Sequence, residues 1–208
     1  MKKYILTETT KDLLGTTLHQ IKAVRSFGDV KEGELGGWIE KEENLSQEGN
    51  AWVSGDAWVS GNAWVYGNAW VSGDAWVSGN ARVYGNAWVY GNARVSGDAW
   101  VYGNARVYGD ARVYGNARVY GDARILSTEH IFVASSVGSE HGTLTAYTIK
   151  SGDIEITRGC FRGTIDEFES AVKNRHEDSR YAEEYLTLIQ YLRLRFRGVV
   201  VEEAEESA

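Results

Sequence analysis

The chain has 208 residues and a formal net charge of −7, which limit it to one or two domains. The negative balance comes without a basic run, so the composition argues against a protein that binds duplex nucleic acid. A single cysteine, Cys160, excludes an internal disulfide framework and fits a reducing cytoplasm. We expect no signal peptide and no transmembrane helix, because the charged N-terminus lacks a long apolar stretch.

The first 36 residues are predicted to contain a β-hairpin. Residues 3–7 and 18–24 have the composition of strands, and a polar stretch that includes Gly15 joins them. The turns that follow lead into the most regular part of the chain.

Residues 49–126 repeat the hexapeptide Gly-Asn/Asp-Ala-Trp/Arg-Val-Ser/Tyr thirteen times without a break. A strict period of six with a fixed small and a fixed aliphatic residue is typical of a parallel β-helix. Since side chains alternate along a strand, Ala51 and Val53 share the inner face and Trp52 points outward. Gly followed by Asn or Asp supplies the turn at each corner. Three hexapeptides would close one triangular turn of the coil.

The coil is predicted to start near Gly37, before the perfect repeat. Trp38 and Ile39 match the Trp-Val pair of the hexapeptide. Leu45 lies eight residues before Val53 rather than six, so residues 47–48 are interpreted as a two-residue insertion at a corner. Because a repeat array needs a cover at its open end, we assign residues 1–36 to an N-terminal capping segment and 37–126 to the coil.

Stacking every eighteen residues predicts three outward columns and one tyrosine edge. The columns are Trp52, Trp70, Trp88, Arg106 and Arg124; Trp58, Trp76, Arg94 and Arg112; and Trp64, Arg82, Trp100 and Arg118. The edge is Tyr66, Tyr84, Tyr102 and Tyr120. These side chains either form a ladder that only stabilises the coil, or also an exposed surface for a partner. The predicted interface of a homo-oligomer is Trp52, Trp58, Trp64, Trp70, Trp76, Trp88 and Trp100.

Beyond Leu126 the period ends, and residues 127–198 are predicted to form a small C-terminal α+β domain. Strands are predicted at residues 130–134, 142–149 and 154–158. Thr164 and Glu167 form a capping box for a first helix, and a second helix is predicted at about residues 179–196. Residues 199–208 end in an acidic run, which predicts a disordered, solvated tail.

Three stretches resemble a known family. They are residues 21–39, with the motif Leu-Gly-Gly-Trp-Ile, residues 44–53, and residues 159–168, Gly-Cys-Phe-Arg-Gly-Thr-Ile-Asp-Glu-Phe, followed by residues 181–185. Together they resemble hexapeptide-repeat proteins of bacteriophages and prophages, of the polymer-forming or structural type. The resemblance implies a mainly β fold with a parallel left-handed β-helix. It also implies a homo-oligomer, with a trimer favoured, in the bacterial cytoplasm or in a virion.

The α+β domain holds the candidate ligand site. A polar, Gly-flanked loop lies between two strands, and a second segment with two arginines joins a strand to a helix N-terminus. Backbone N–H groups and arginines there would suit a phosphate-like anion, with an aromatic ring stacking on a nucleotide. The alternative is that Thr164 only caps the helix and the arginines are solvated. The predicted ligand residues are Ser139, His141, Thr143, Tyr147, Arg158, Cys160, Phe161 and Arg162.

We therefore expect a non-enzymatic, phage-type binding protein that sequesters a small anionic or nucleotide signal of host immunity. One alternative is a structural protein of a virion or scaffold. Another is an acyltransferase, since many proteins of left-handed β-helix fold are trimeric acyltransferases with a histidine on or beside the coil. Here the histidines lie outside the coil, and only His130 and His141, just past it, could serve. We predict no catalytic residue, no cofactor and no metal site, because no His or Cys cluster has zinc spacing.

Overall fold

A parallel β-helix forms the middle of the computed structural model, which describes residues 2–13 and 15–201. Its strands are two residues long: β4 Trp52–Val53, β5 Trp58–Val59, β6 Trp64–Val65, β7 Trp70–Val71, β8 Trp76–Val77, β9 Arg82–Val83, β10 Trp88–Val89, β11 Arg94–Val95, β12 Trp100–Val101, β13 Arg106–Val107, β14 Arg112–Val113, β15 Arg118–Val119 and β16 Arg124–Ile125. The hexapeptide thus gives one short strand per repeat, and the predicted β-helix is confirmed.

Eighteen residues separate each strand from its neighbour in the coil. Trp70 pairs with Trp88, and Val71 with Val89, in parallel register. Two faces of the coil run β16-β13-β10-β7-β4 and β15-β12-β9-β6, and the third contains β5-β8-β11-β14. The Ala of every repeat and the Val two residues later, which is Ile125 in the last repeat, are buried with at most 1% of their surface exposed. The predicted inward and outward alternation is therefore confirmed.

Stacked corners explain why glycine recurs at the start of each hexapeptide. Gly103, for example, has a φ of +76°, a backbone conformation that residues with a Cβ rarely adopt. A Cβ at this position would lie 2.8 Å from the backbone N of Gly121 on the next turn. Both the backbone conformation and the close approach of successive turns therefore require glycine.

The N-terminal segment forms the predicted hairpin and extends one face of the coil. β1 is Tyr4–Leu13, β2 is Thr16–Ala23 and β3 is Leu35–Ile39. β2 pairs antiparallel with both β1 and β3, and β3 pairs parallel with β5. The first coil strand is thus β3, whose Trp38 and Ile39 continue the hexapeptide pattern.

The two-residue insertion is confirmed by the number of residues that separate paired positions in the sequence. Trp38 pairs with Trp58, and Leu45 bridges to Val65, so both partners are twenty residues apart instead of eighteen. The inserted Gln47 has a structural role, since its Oε1 accepts from the Lys3 N–H at 2.7 Å and its Nε2 donates to Glu42. A short 3₁₀-helix, Glu42–Asn44, lies at the preceding corner.

Two of the predicted interface tryptophans are buried, and the prediction was wrong for them. Trp52 is fully buried because the rings of Tyr4 and Phe27 pack edge-on against it, at centroid distances of 6.3 and 5.4 Å. Trp58 is 8% exposed and stacks on Trp76 at 4.1 Å. The N-terminal strands cover the outward face of the first turn, which the repeat pattern alone did not indicate.

The remaining columns form the predicted ladder. Tyr66, Tyr84 and Tyr102 stack in sequence at centroid distances of 4.7 and 4.6 Å. Arg82 and Arg118 lie on either side of Trp100, at 5.0 and 4.7 Å from its ring. Of the predicted interface residues, Trp64 and Trp88 are exposed, at 41% and 39%. Whether they contact a partner stays a prediction.

A small α+β region follows the coil. A 3₁₀-helix, Thr128–His130, leads into the strands β17 Ile131–Val137, β18 Gly142–Thr148, β19 Ile154–Arg158 and β20 Phe161–Thr164. These form an antiparallel sheet in chain order. The helices α1 Ile165–His176 and α2 Arg180–Arg195 then pack on it, capped by Thr164 and Ser179. β20 was not predicted from the sequence. Because it pairs antiparallel with β19, Gly159 and Cys160 are the tip of a hairpin and not a loop before a helix.

The α+β region has its own apolar core and also contributes side chains to the core of the coil. Its core includes Leu144 and Ile156 of the sheet with Phe168 and Ile189 of the helices. Tyr147 instead belongs to the core of the coil.

None of the helices of the described residues is both long and apolar enough to cross a membrane. The disordered tail was predicted at residues 199–208, but Val199 packs against the α+β core and the Val200 carbonyl lies 3.1 Å from Nε2 of His130. Residues 202–208 lie outside the described residues.

Candidate ligand-binding site

A cavity of about 400 Å³ lies in the α+β region, between the β19–β20 hairpin, α1, α2 and the loop after β17. Four of the predicted ligand residues line it: Ser139, Arg158, Cys160 and Phe161. The helices contribute Phe168, Ala171, Val172, Arg175, His176 and Tyr185, and the remaining lining residues are Glu140 and Gly159. The cavity therefore combines arginines with aromatic rings, which is the chemistry expected for an anion that carries an apolar or aromatic body.

Arg158 is the central cationic group of the cavity wall. Its side chain is only 10% exposed, and its Nη2 donates to the carbonyl of Val137 at 2.9 Å. The guanidinium lies 6.0 Å from the centre of the Tyr185 ring. Its Nε is buried and has no hydrogen-bond partner among the described residues. An unpaired buried donor on a charged group is costly, which makes Arg158 the leading candidate for an anion-binding group in this cavity.

Glu140 places a carboxylate between two arginines at the mouth of the cavity. Its Oε2 lies 3.9 Å from Nη1 of Arg158, and its Oε1 lies 3.8 Å from Nη2 of Arg175. Both distances are long for charge-assisted hydrogen bonds, which are 2.7–2.9 Å when well formed. The Glu140 side chain is 69% exposed, so solvent weakens both interactions. A ligand carboxylate or phosphate could therefore replace it without a large loss.

Two glycines allow the cavity wall to pack closely. A Cβ at Gly138 would overlap the hydroxyl of Tyr185, and one at Gly142 would overlap the guanidinium of Arg158. Gly138 also has a φ of +69°. The Gly-flanked loop noted in the sequence thus serves to bring Tyr185 and Arg158 against the backbone, at opposite ends of the loop.

The Tyr185 hydroxyl on the aromatic side of the cavity stays neutral near physiological pH. Burial raises the pKa of the Tyr185 hydroxyl, and the charge of Arg158 opposes this only in part. The His176 ring lies 5.6 Å from the Tyr185 ring, and Phe161 lies 5.0 Å from Phe168. Tyr185 can therefore offer a hydroxyl donor together with an apolar ring surface to a bound molecule.

Arg162 and Tyr147 lie elsewhere, and their prediction as ligand residues was wrong. Arg158 pairs with Phe161 across the hairpin and Thr157 with Arg162, so the two arginines lie on opposite faces of the sheet. The Arg162 Nε pairs with Glu155 at 2.9 Å, and its guanidinium lies over Tyr120 of the coil. Tyr147 is fully buried, so no ligand can stack on it.

The predicted anion site at the N-terminus of α1 is also wrong. The carboxylate of Glu167 accepts from the backbone N–H of Thr164 at 2.8 Å and from its hydroxyl. The first turn also carries Asp166, so the helix end is already occupied by negative charge. Thr164 is a cap, as the alternative interpretation had it. His141 and Thr143 do not line the cavity, and their role stays a prediction.

The residues that the helices bring to the site were not predicted from the sequence. Arg175, His176 and Tyr185 lie far along the chain from the β19–β20 hairpin and reach it only through helix packing. A signal was present, because Phe168, Val172 and Arg175 recur at the spacing of one helix face. The apolar part of that face packs on the sheet, and its last turn ends in basic residues at the cavity.

His130, a candidate base of the acyltransferase alternative, is not available. It is 6% exposed, its Nδ1 lies 3.0 Å from the Ser127 hydroxyl, and its Nε2 lies 3.1 Å from the Val200 carbonyl. Both ring nitrogens thus have internal partners. Among the residues that the structure describes, no three His, Cys, Asp or Glu side chains converge as metal ligands.

Comparisons with known proteins find similarity within the repeats. The family described as the YdcK Beta solenoid repeat matches six overlapping windows of the coil, residues 57–73, 63–79, 75–91, 87–103, 99–113 and 111–126. An Escherichia coli K12 protein described as "Uncharacterized acetyltransferase YdcK" is 42% identical to this chain over 64 residues. That match covers 26% of the chain and 19% of the relative, so the chain spans about a fifth of the relative's length. The family match lies within the coil and leaves the cavity of the α+β region outside it.

Proposed function

We propose that this protein binds a small anionic ligand in the cavity of its α+β region and does so without catalysing a reaction. The observation that carries the proposal is Arg158, a nearly buried guanidinium with an unpaired Nε at the wall of a preformed cavity. Arg175 adds a second positive charge, and Tyr185 adds a neutral hydroxyl and a ring. These groups match a carboxylate or phosphate attached to an apolar or aromatic body.

The coil then serves as a rigid support for the binding region. The role we infer is sequestration of a nucleotide signal in a bacterial cell infected by a phage, and its support is the resemblance to phage and prophage hexapeptide-repeat proteins. The cavity volume of about 400 Å³ lies within the usual range for small-molecule sites. A homo-oligomer joined through the exposed tryptophans of the coil is part of the same proposal.

Native mass spectrometry tests ligand binding and subunit number together. The protein is measured as purified from cells, and then after mixing with a pool of cyclic and ADP-ribose-type nucleotides and with inorganic phosphate. We expect a discrete oligomer that carries one added mass per site. An oligomer without added mass under all of these conditions would contradict ligand binding and favour a structural role, which a search for the protein in purified virions would then test.

Three variants locate the ligand on the structure. Arg158→Gln and Arg175→Gln should each weaken binding by about tenfold or more, since each removes a charge-assisted hydrogen bond. Arg197→Gln is the matched control, because Arg197 is an exposed arginine of the same region that does not line the cavity. Equal loss in all three variants would indicate a nonspecific charge effect and contradict the assigned site.

Acyl transfer is the second candidate, and the printed name of the Escherichia coli relative is the observation that favours it. Within the described chain, His176 is the histidine that lines the cavity, so it would be the general base. The test is release of free coenzyme A from acetyl-CoA in the presence of amine and hydroxyl acceptors. Turnover that is lost in His176→Gln would replace the binding proposal by an enzymatic one.

A further inference from the structure

The three faces of the coil end differently at the α+β region. Above β15, the backbone N–H of Arg118 donates to the hydroxyl of Thr145, and that of Tyr120 donates to the hydroxyl of Tyr147. Above β16, residues 123 and 149 form an antiparallel bridge. Both faces are thus covered by side chains or backbone of the C-terminal sheet.

The third face ends at β14 without such a cover. One turn below, the N–H groups of Arg94 and Ser96 donate to the carbonyls of Ala111 and Val113, at 2.9 Å each. The equivalent donors of β14 are the N–H groups of Arg112 and Tyr114. Neither of these two N–H groups donates a hydrogen bond to an acceptor within residues 2–13 and 15–201. β14 is also the last strand of its sheet, and no further strand of the described residues pairs with its outer edge.

A cavity of about 390 Å³ lies over this edge. Its floor is formed by Arg112 and Tyr114, and its wall by β17 and α2, with Phe132, Tyr191 and Arg195 among the lining residues. It continues along the same face of the coil into a second cavity of about 580 Å³ that Arg94 lines together with Arg112 and Tyr114. The two cavities form one groove, which we call the β14 groove.

The β14 groove is positively charged and aromatic in a protein of net charge −7. Arg94, Arg112 and Arg195 line it, and none of them forms an ion pair with a carboxylate of the described residues. Arg195 donates to the carbonyl of Thr128, and Arg94 lies over the Trp76 ring. Tyr114 and Tyr191 expose 55% and 46% of their surface. The positive charge of the groove thus lacks a counterpart within the described chain.

We propose that the β14 groove binds an extended acidic peptide of a partner protein, which adds one strand above β14. The carbonyls of the peptide would accept from the N–H groups of Arg112 and Tyr114, as the carbonyls of each turn do from the turn below. Acidic side chains of the peptide would pair with the three arginines, and apolar ones would contact the tyrosines. This continues the stacking of the coil by one further strand.

A peptide fits the groove better than a single-stranded nucleic acid does. The free edge offers a row of backbone donors at strand spacing, which a peptide backbone matches and a sugar–phosphate backbone does not. The overall negative charge of the chain also opposes the long polyanion, whereas a short acidic peptide contacts only the local positive surface.

Fluorescence anisotropy with the full chain tests the proposal. The probe is a labelled heptapeptide of alternating valine and glutamate, at low and at moderate salt. We expect saturable binding that weakens as salt is raised. Arg112→Gln and Arg94→Gln should each weaken it by about tenfold. Arg82→Gln, an exposed arginine on another face of the coil, should leave binding unchanged.

Modified probes separate strand pairing from charge alone. The same peptide with glutamine for glutamate, or with alternate amides N-methylated, should lose most of the affinity. Equal binding of the N-methylated peptide or of an oligo-thymidine would overturn the proposal, as would an Arg82→Gln effect equal to that of Arg112→Gln. Peptide binding that appears only after deletion of residues 202–208 would also overturn it, in favour of the chain's own acidic C-terminus. The cavity of Arg158 is a separate site, so failure here leaves ligand binding there unaffected.

Discussion

The coil and the α+β region differ in the kind of internal contact that stabilises each of them. In the coil, each strand contacts the strands one turn below and above it, so the same pair of contacts recurs from β4 to β16. In the α+β region, residues distant in sequence meet once, as when Tyr185 of α2 reaches Gly138 and Arg158. The coil is therefore close to a one-dimensional array, whereas the α+β region depends on a few contacts that are not repeated.

This difference explains where a binding site can form. A repeated surface presents the same groups in columns, which favours ladders such as the stacked tyrosines 66, 84 and 102. A concave site with distinct charged and aromatic walls needs elements of different kind, such as the antiparallel sheet and the two helices beyond Leu126. Changes in the repeat, at its ends and at the joint between the two regions should therefore have effects of decreasing size.

The largest expected effect is a charge placed inside the coil. Val89→Asp puts a carboxylate where the side chain is fully buried, and should lower the free energy of unfolding by more than about 4 kcal/mol. Trp88→Asp is the matched control, because the neighbouring side chain is 39% exposed and lies near Arg106. We expect a change of about 1 kcal/mol there. Urea unfolding followed by circular dichroism measures both, and equal effects would contradict the alternation.

Two corner glycines separate backbone strain from the stacking of turns. Gly103→Ala should cost about 3 kcal/mol, since the new Cβ lies 2.8 Å from the Gly121 N and φ is +76°. Gly115→Ala should cost only about 1 kcal/mol. Its φ of +64° is similar, but no atom of the described chain lies within 4 Å of its Cβ position. Thermal unfolding of the two variants compares them, and similar costs would show that stacking contributes little.

The opposite end of the coil should show a pH dependence. Burial, with a smaller effect of the Arg25 charge, lowers the pKa of Lys3 to about 8, and its Nζ donates to the Ala51 carbonyl at 2.7 Å. Between pH 8 and 10.5 the unfolded chain then binds more protons at Lys3 than the folded chain does. The free energy of unfolding should therefore rise across this window, by up to about 3 kcal/mol.

Lys3→Met isolates that contribution. The difference in unfolding free energy between wild type and variant, measured from pH 7 to pH 11, should change through the same window and level off above it. Tyrosines whose pKa is raised, such as Tyr4, act on both proteins and cancel in the difference. A difference that stays constant with pH would show that Lys3 titrates normally.

Most of the fold could be predicted from the sequence, because the spacing of residues within the repeat determines the geometry of the coil. A repeat of six residues with one strand in each, and with alanine and an aliphatic residue two apart, fixes the inner face at Ala51 and Val53 and at the equivalent positions of every later repeat. The insertion at Gln47 could likewise be read from the interrupted spacing. The burial of Trp52 could not, because it depends on Tyr4 and Phe27, whose positions no local pattern specifies.

The candidate site was predicted only in part, for a related reason. Arg158, Cys160 and Phe161 were found because they lie in one short segment. Arg162 was wrongly included, since the missed strand β20 places it on the other face of the sheet. Tyr185 was missed as a site residue because only the packing of two helices on that sheet brings it to the cavity. Contacts between distant segments are the information that a single sequence lacks.

The smallest expected effect concerns the joint between the coil and the α+β region. The Tyr147 hydroxyl donates to Glu155 at 2.5 Å and accepts from the Tyr120 N–H of the coil at 3.3 Å. Burial, followed by the hydrogen bond to Glu155, raises the pKa of this hydroxyl, so it stays a neutral donor. Tyr147→Phe should therefore cost about 1–2 kcal/mol and weaken the coupling between the two regions.

Separate probes for the two regions make that coupling measurable. All 8 tryptophans lie between residues 38 and 100, so tryptophan fluorescence follows the coil, while ellipticity at about 222 nm follows α1 and α2. We expect coincident urea transitions in the wild type and an earlier helix transition in Tyr147→Phe, with Tyr191→Phe as an exposed control. Transitions that stay coincident in Tyr147→Phe would mean that apolar contacts, such as Ile131 in the coil core, are sufficient to join the regions.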